Sequence, residues 1–131
     1  MIYYSDSFTD YEGEAVAVSW TQEVWESHLN KHPEITSPEW ASNLIKETLS
    51  SPSLVMDGKR DGDGEVRTRC YCKEHKRDGS YLYFTKVVTG CDRSPFYIKT
   101  VFVQWLFHGI VVQEKKYNNF KEVWRDPKTY L

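Results

Sequence analysis

Cysteine is scarce and odd in number, with Cys70, Cys72 and Cys91 the only three in 131 residues. Cys70 and Cys72 sit too close along one strand for a usual structural bridge, so reduced thiols are the simplest reading. Long apolar runs are also missing. No window approaches the roughly 18 consecutive apolar residues of a membrane span. The opening MIYYSDSFTDYEGE is acidic where a signal peptide would be basic and then apolar. A cytoplasmic protein with no membrane partner is expected, and neither an internal repeat nor a low-complexity segment is present.

What the chain does hold is aromatic side chains, 15% of its residues within a hydrophobic share of 40%. That apolar content can offset the entropy of folding for one domain over residues 1–131. The net charge of −2 conceals an asymmetry. Residues 1–66 carry four Lys/Arg against thirteen Asp/Glu, and residues 67–131 carry thirteen against six. The two halves attract, and a basic face from the second half can still meet a polyanion.

Val16 to Trp20 reads as a short strand. Thr21 as cap and Glu23 in the first turn then start a helix, with Val24, Trp25, His28, Leu29 and His32 on one face and Pro33 ending it. Ser37 and Pro38 start a second helix whose stripe is Trp40, Leu44, Ile45, Thr48 and Leu49, ended by Ser50-Ser51-Pro52. Beyond it the pattern becomes strand-like over Ser53 to Met56, Glu65 to Lys73, Tyr81 to Thr89 and Tyr97 to Phe107, with Ile110 to Glu114 a possible fifth. Connectors rich in Gly, Asp and Pro imply an antiparallel meander. Phe120, Val123 and Trp124 have helical spacing. The expected fold is therefore α+β: two N-terminal helices packed on a four- to five-stranded antiparallel sheet, with a short C-terminal helix.

His28 and His32 stack on adjacent helical turns, and Glu34 follows just past the helix end. Imidazoles at an accessible helix terminus suit proton transfer, although a histidine on the inner face of a helix is more often a partner for a backbone carbonyl or carboxylate. Zinc is a weaker reading. His28-Leu29-Asn30-Lys31-His32 lacks the glutamate of a zinc protease, and Cys70, Cys72, His75 and Cys91 lack the usual knuckle spacing. The run Asp57 to Glu65 fails position by position as a calcium loop. Arg67, Arg69, Lys86 and Lys99 interrupt otherwise apolar strands, and Thr85 and Thr100 place hydroxyls beside two of them. Such a face suits a phosphodiester, and the ordinary alternative is a solvent face alternating with a core face.

The segment Trp25-Glu26-Ser27-His28-Leu29-Asn30-Lys31-His32-Pro33-Glu34 resembles a pattern of phage-type nucleases in the barnase, EndoU, colicin and RelE-like superfamily. Thr48-Leu49-Ser50-Ser51-Pro52, Leu82 to Val88 and Ile98-Lys99-Thr100-Val101-Phe102 follow in the matching order, so the resemblance covers roughly residues 18–105. It implies a metal-independent endoribonuclease, a toxin or phage-associated effector without cofactor, in which the RNA 2′-hydroxyl attacks the neighbouring phosphate. His28 and His32 would transfer protons with Glu34 assisting, Lys99 and Thr100 would hold the phosphate, and Arg67, Arg69 and Lys86 would contact RNA. A protein inhibitor or antitoxin is a further expected partner. The rival is a noncatalytic immunity or adaptor module on a nuclease-like fold, which the acidic first half favours.

Overall fold

The computed structural model describes residues 2–21, 26, 37–58, 66–78, 81–92, 94–107 and 120–129. Among them the chain forms seven strands and one long helix: β1 (Ile2–Thr9), β2 (Ala15–Thr21), α1 (Pro38–Ser50), β3 (Leu54–Gly58), β4 (Thr68–Asp78), β5 (Tyr81–Gly90), β6 (Phe96–Phe107) and β7 (Phe120–Arg125). The strands share one sheet in the order β1-β2-β6-β5-β4-β3-β7. It is mixed, because β2 runs parallel to β6 while the other neighbours are antiparallel.

This architecture corrects the expected α+β fold with two N-terminal helices, a four- to five-stranded antiparallel sheet and a C-terminal helix. At the N-terminus, Thr21 belongs to a strand. It closes β2 opposite Ile2, in a hairpin whose turn is held by the Asp10 carboxylate accepting from the Glu12 and Glu14 amides. Of the remaining first-helix residues only Glu26 is described, in helical conformation, and Val24, Trp25, His28, Leu29 and His32 lie outside the described residues. Ile110 to Glu114 lies outside them too.

At the C-terminus, Phe120–Arg125 is an edge strand rather than a helix. Trp124 stands opposite Val55 and Glu122 opposite Met56, which leaves Val123 as an extra, exposed residue. A bulge of this kind interrupts period-two alternation, so the strand carries no regular alternating pattern in its sequence.

The helix starts where its sequence dictates. Ser37 has extended backbone and its Oγ accepts from the Trp40 amide at 3.1 Å, while Pro38 follows where no donor is needed. Ala41, Leu44, Ile45 and Leu49 recur on one stripe and are buried against Phe8, Val18, Val55, Tyr71, Val87, Ile98 and Val101 of the sheet. Each fully buried aliphatic side chain here contributes about 1.5–3 kcal/mol. The opposite face is also buried in its middle, at Leu54, Met56, Cys70, Cys72 and Phe84. Strands covered on both sides lose their polar alternation, which is why β3 to β6 read as apolar runs.

Candidate functional site

Two core residues of β6, Ile98 and Val101, belong to the same buried cluster although they are three positions apart. Strict alternation would send them to opposite faces. A register shift resolves this: Thr100 stands opposite Val88 and Ile98 opposite Thr89, so Lys99 is the additional residue with no partner on β5. Lys99 is exposed, and Thr100 beside it is partly exposed. On β5, Lys86 lies two residues before Val88, hence on the same face as Thr100 and one step along the ladder. Such diagonal neighbours are about 7–8 Å apart, within reach of a lysine chain. A cation lifted out of the ladder, a neighbouring hydroxyl and a second cation therefore share one part of the sheet.

The other expected site residues are distributed as follows. His28, His32 and Glu34 lie outside the described residues. Arg67 is exposed just before β4, and its carbonyl accepts from the Cys91 amide at 2.9 Å. Arg69 occupies the face covered by α1, away from Lys86 and Thr100. It donates to both Asp57 carboxylate oxygens, from Nε at 2.6 Å and from Nη2 at 3.3 Å. Its guanidinium lies 5.5 Å from the Tyr11 ring centroid, a cation–π contact, and Tyr11 in turn leans on Trp124. Burial pulls the Arg69 guanidinium down, and its hydrogen bonds and charge pairing with Asp57 more than reverse this. Burial pushes the Tyr11 phenol up to about 12, with Arg69 opposing.

The Asp57–Arg69 pair was not legible as a unit. In sequence, Asp57 opens a run rich in Asp and Gly, and Arg69 is one of several cations in apolar strands. Only the β3–β4 register, in which Asp57 stands opposite Arg69, joins them.

His75 is another residue whose role depends on register. It is the extra residue of β4, between Glu74 opposite Phe84 and Lys76 opposite Tyr83. Its Nε2 shares a hydrogen bond with Thr85 Oγ1, and Nδ1 lies 3.9 Å from a Glu47 carboxylate oxygen on α1. The order carboxylate, imidazole, hydroxyl imitates a nucleophilic triad, but Thr85 is fully buried and cannot meet a substrate. The set ties α1 to the sheet. Burial holds His75 below the usual imidazole range, with Glu47 opposing and Lys73 adding to the shift.

The unfolded chain takes up this proton near pH 6.5, at the ordinary imidazole value, and the folded chain resists it to lower pH. The His75 contribution is therefore neutral above about pH 6.5 and destabilises increasingly as pH falls, levelling off once the folded imidazole protonates. His75→Gln is expected to flatten this limb of the stability curve and leave higher pH unchanged. Urea melts from about pH 8 to 5 test it, and parallel wild-type and variant curves would sink the account.

The possible zinc set is divided. Cys70 and Cys72 face away from α1, whereas His75 is bound at the α1 face and the Cys91 thiol donates to the Val66 carbonyl at 3.4 Å. Among the described residues no group of three or more His, Cys, Asp or Glu side chains converges to hold a metal. No described helix is long and apolar enough to cross a membrane. Compared with known proteins, the chain matches no family model, no curated protein and no solved structure.

Proposed function

We propose that the chain is a metal-independent endoribonuclease, a toxin or phage-associated effector, that cleaves RNA by attack of the 2′-hydroxyl on the adjacent phosphate. RNA supplies the nucleophile, so the protein has to move two protons and stabilise charge on the pentavalent phosphate. His28 and His32 act as base and acid, with Glu34 orienting them. Lys99 neutralises the phosphate and Thr100 donates a hydrogen bond to it. Lys86 and Arg67 draw in the RNA backbone, while Arg69 is held by Asp57 and serves the fold.

The observation that supports this reading is the β6 bulge. It sets Lys99 outside the ladder beside Thr100, with Lys86 on the Thr100 face. Bulges are enriched next to active sites, where they re-aim a side chain.

RNA incubated with the protein in EDTA is expected to yield fragments ending in a 2′,3′-cyclic phosphate or its 3′-phosphate hydrolysis product. His28→Ala and His32→Ala should each abolish them. An inactive wild type, or full activity in both variants, removes the claim. An inactive wild type that instead forms a stoichiometric complex with a basic protein would favour a noncatalytic immunity or adaptor module.

A further inference from the structure

Three sulfur-bearing residues share the sheet face opposite α1. Cys70 and Cys72 lie two residues apart on β4, with their Sγ atoms 3.9 Å apart. Met56 on β3 stands directly opposite Cys70. Directly opposed residues in an antiparallel ladder point to the same side with Cβ atoms about 4.5–5.5 Å apart, a gap that a flexible thioether spans. All three side chains are buried and both thiols are free.

The sulfur spacing fits a metal edge. A metal–thiolate bond of about 2.3 Å places two sulfurs of a trigonal plane about 4.0 Å apart. The residues around the thiols complete the chemistry. Leu54 stands opposite Cys72 on one side and Lys86 on the other, while Val88 stands opposite Cys70. These neighbours of the thiols supply no carboxylate, carbonyl side chain or imidazole, and the two carboxylates nearest along the same face are engaged elsewhere, Glu122 opposite Met56 with Arg125 and Glu74 with the Thr129 hydroxyl. Soft thiolate and thioether donors select Cu(I).

We propose that Cys70, Cys72 and Met56 form a binding site for one Cu(I) ion, with the Lys86 ammonium as its counter-charge. On binding, each thiol releases its proton to solvent. Cu(I), two thiolates and a neutral thioether then carry one negative charge, which Lys86 offsets, and the copper neither gains nor loses an electron. Lys86 and Val88 are only partly buried, so the ion enters from their margin of the cluster. The site shares Lys86 with the proposed RNA contact but none of the groups assigned to proton transfer, and its readout is metal binding alone.

The test is anaerobic titration of the reduced full chain with Cu(I) buffered by bicinchoninate, whose colour is lost as the protein takes the ion. Wild type is expected to take one equivalent, and Cys91→Ser to do the same. Cys70→Ser and Cys72→Ser should each weaken binding by more than the roughly 10–100-fold that loss of a supporting residue costs. Met56→Leu should weaken it less. No uptake by wild type, uptake intact in Cys72→Ser, or uptake lost in Cys91→Ser overturns the site. Should the serine variants fail to fold, X-ray absorption of the copper-loaded wild type decides. Three sulfur ligands are expected, and a two-coordinate or nitrogen-containing shell overturns it.

Discussion

Tyr71→Ala will lower the unfolding free energy by about 3–5 kcal/mol, the range for losing a large aromatic from a packed core. Tyr71→Phe will cost nothing measurable or will stabilise the chain. Tyr71 is fully buried at the centre of the α1 face, with Val55 and Val87 opposite it on the neighbouring strands. The Phe8 ring meets it edge to face at a centroid distance of 5.8 Å, so truncation to alanine removes an aromatic pair and leaves a cavity that β-strands fixed by their ladders cannot close.

The phenol oxygen is the weak point of this packing. It is buried, and among the described residues it has no hydrogen-bond partner. Burial pushes the Tyr71 phenol up, and Arg69 is near enough to oppose that electrostatically while falling short of hydrogen-bond geometry. A buried, unpaired hydroxyl costs about 1–3 kcal/mol, so phenylalanine recovers desolvation while keeping the ring. Urea unfolding of both variants checks this. A loss in Tyr71→Phe approaching that in Tyr71→Ala would show that the hydroxyl is bonded and defeat the account.

The parts of the fold legible in the sequence are those fixed by local chemistry. Helix α1 was legible because Ser37, Pro38 and a 3.6-residue stripe agree on its start and face. Strands β3 to β6 were legible as apolar runs between turn residues. Strand β1 was hidden by the polar Ser5-Asp6-Ser7 at its centre, which pairs across to Ser19, Val18 and Ala17. The parallel contact of β2 with β6 joins Val18 to Phe96 and Ser19 to Tyr97, and no local pattern encodes a partner so distant in the chain. At the candidate site, a cation beside a hydroxyl in an apolar run marked Lys99-Thr100. That Lys86 shares the Thr100 face while Arg69 lies on the other depends on strand register, which a single bulge can alter.

Deleting Lys99 will leave the chain folded and reduce RNA cleavage by about 10²–10³-fold, the loss expected when one charge-stabilising group is removed. A one-residue deletion inside a strand ordinarily turns everything beyond it to the wrong face. Lys99 is the exception because it is the residue without a partner: without it, Ile98 and Val101 still face the core and Thr100 still faces Val88, now in a regular ladder. Melting temperature should therefore hold or rise. Deleting Val87, which occupies a continuous stretch of register between Tyr71 and Val101, is the control and should unfold the protein. The two outcomes separate fold from function. A chain lacking Lys99 that melts like the Val87 deletion would refute the bulge, whereas a stable chain that cleaves RNA as fast as wild type would remove Lys99 from the phosphate site and leave the fold untouched.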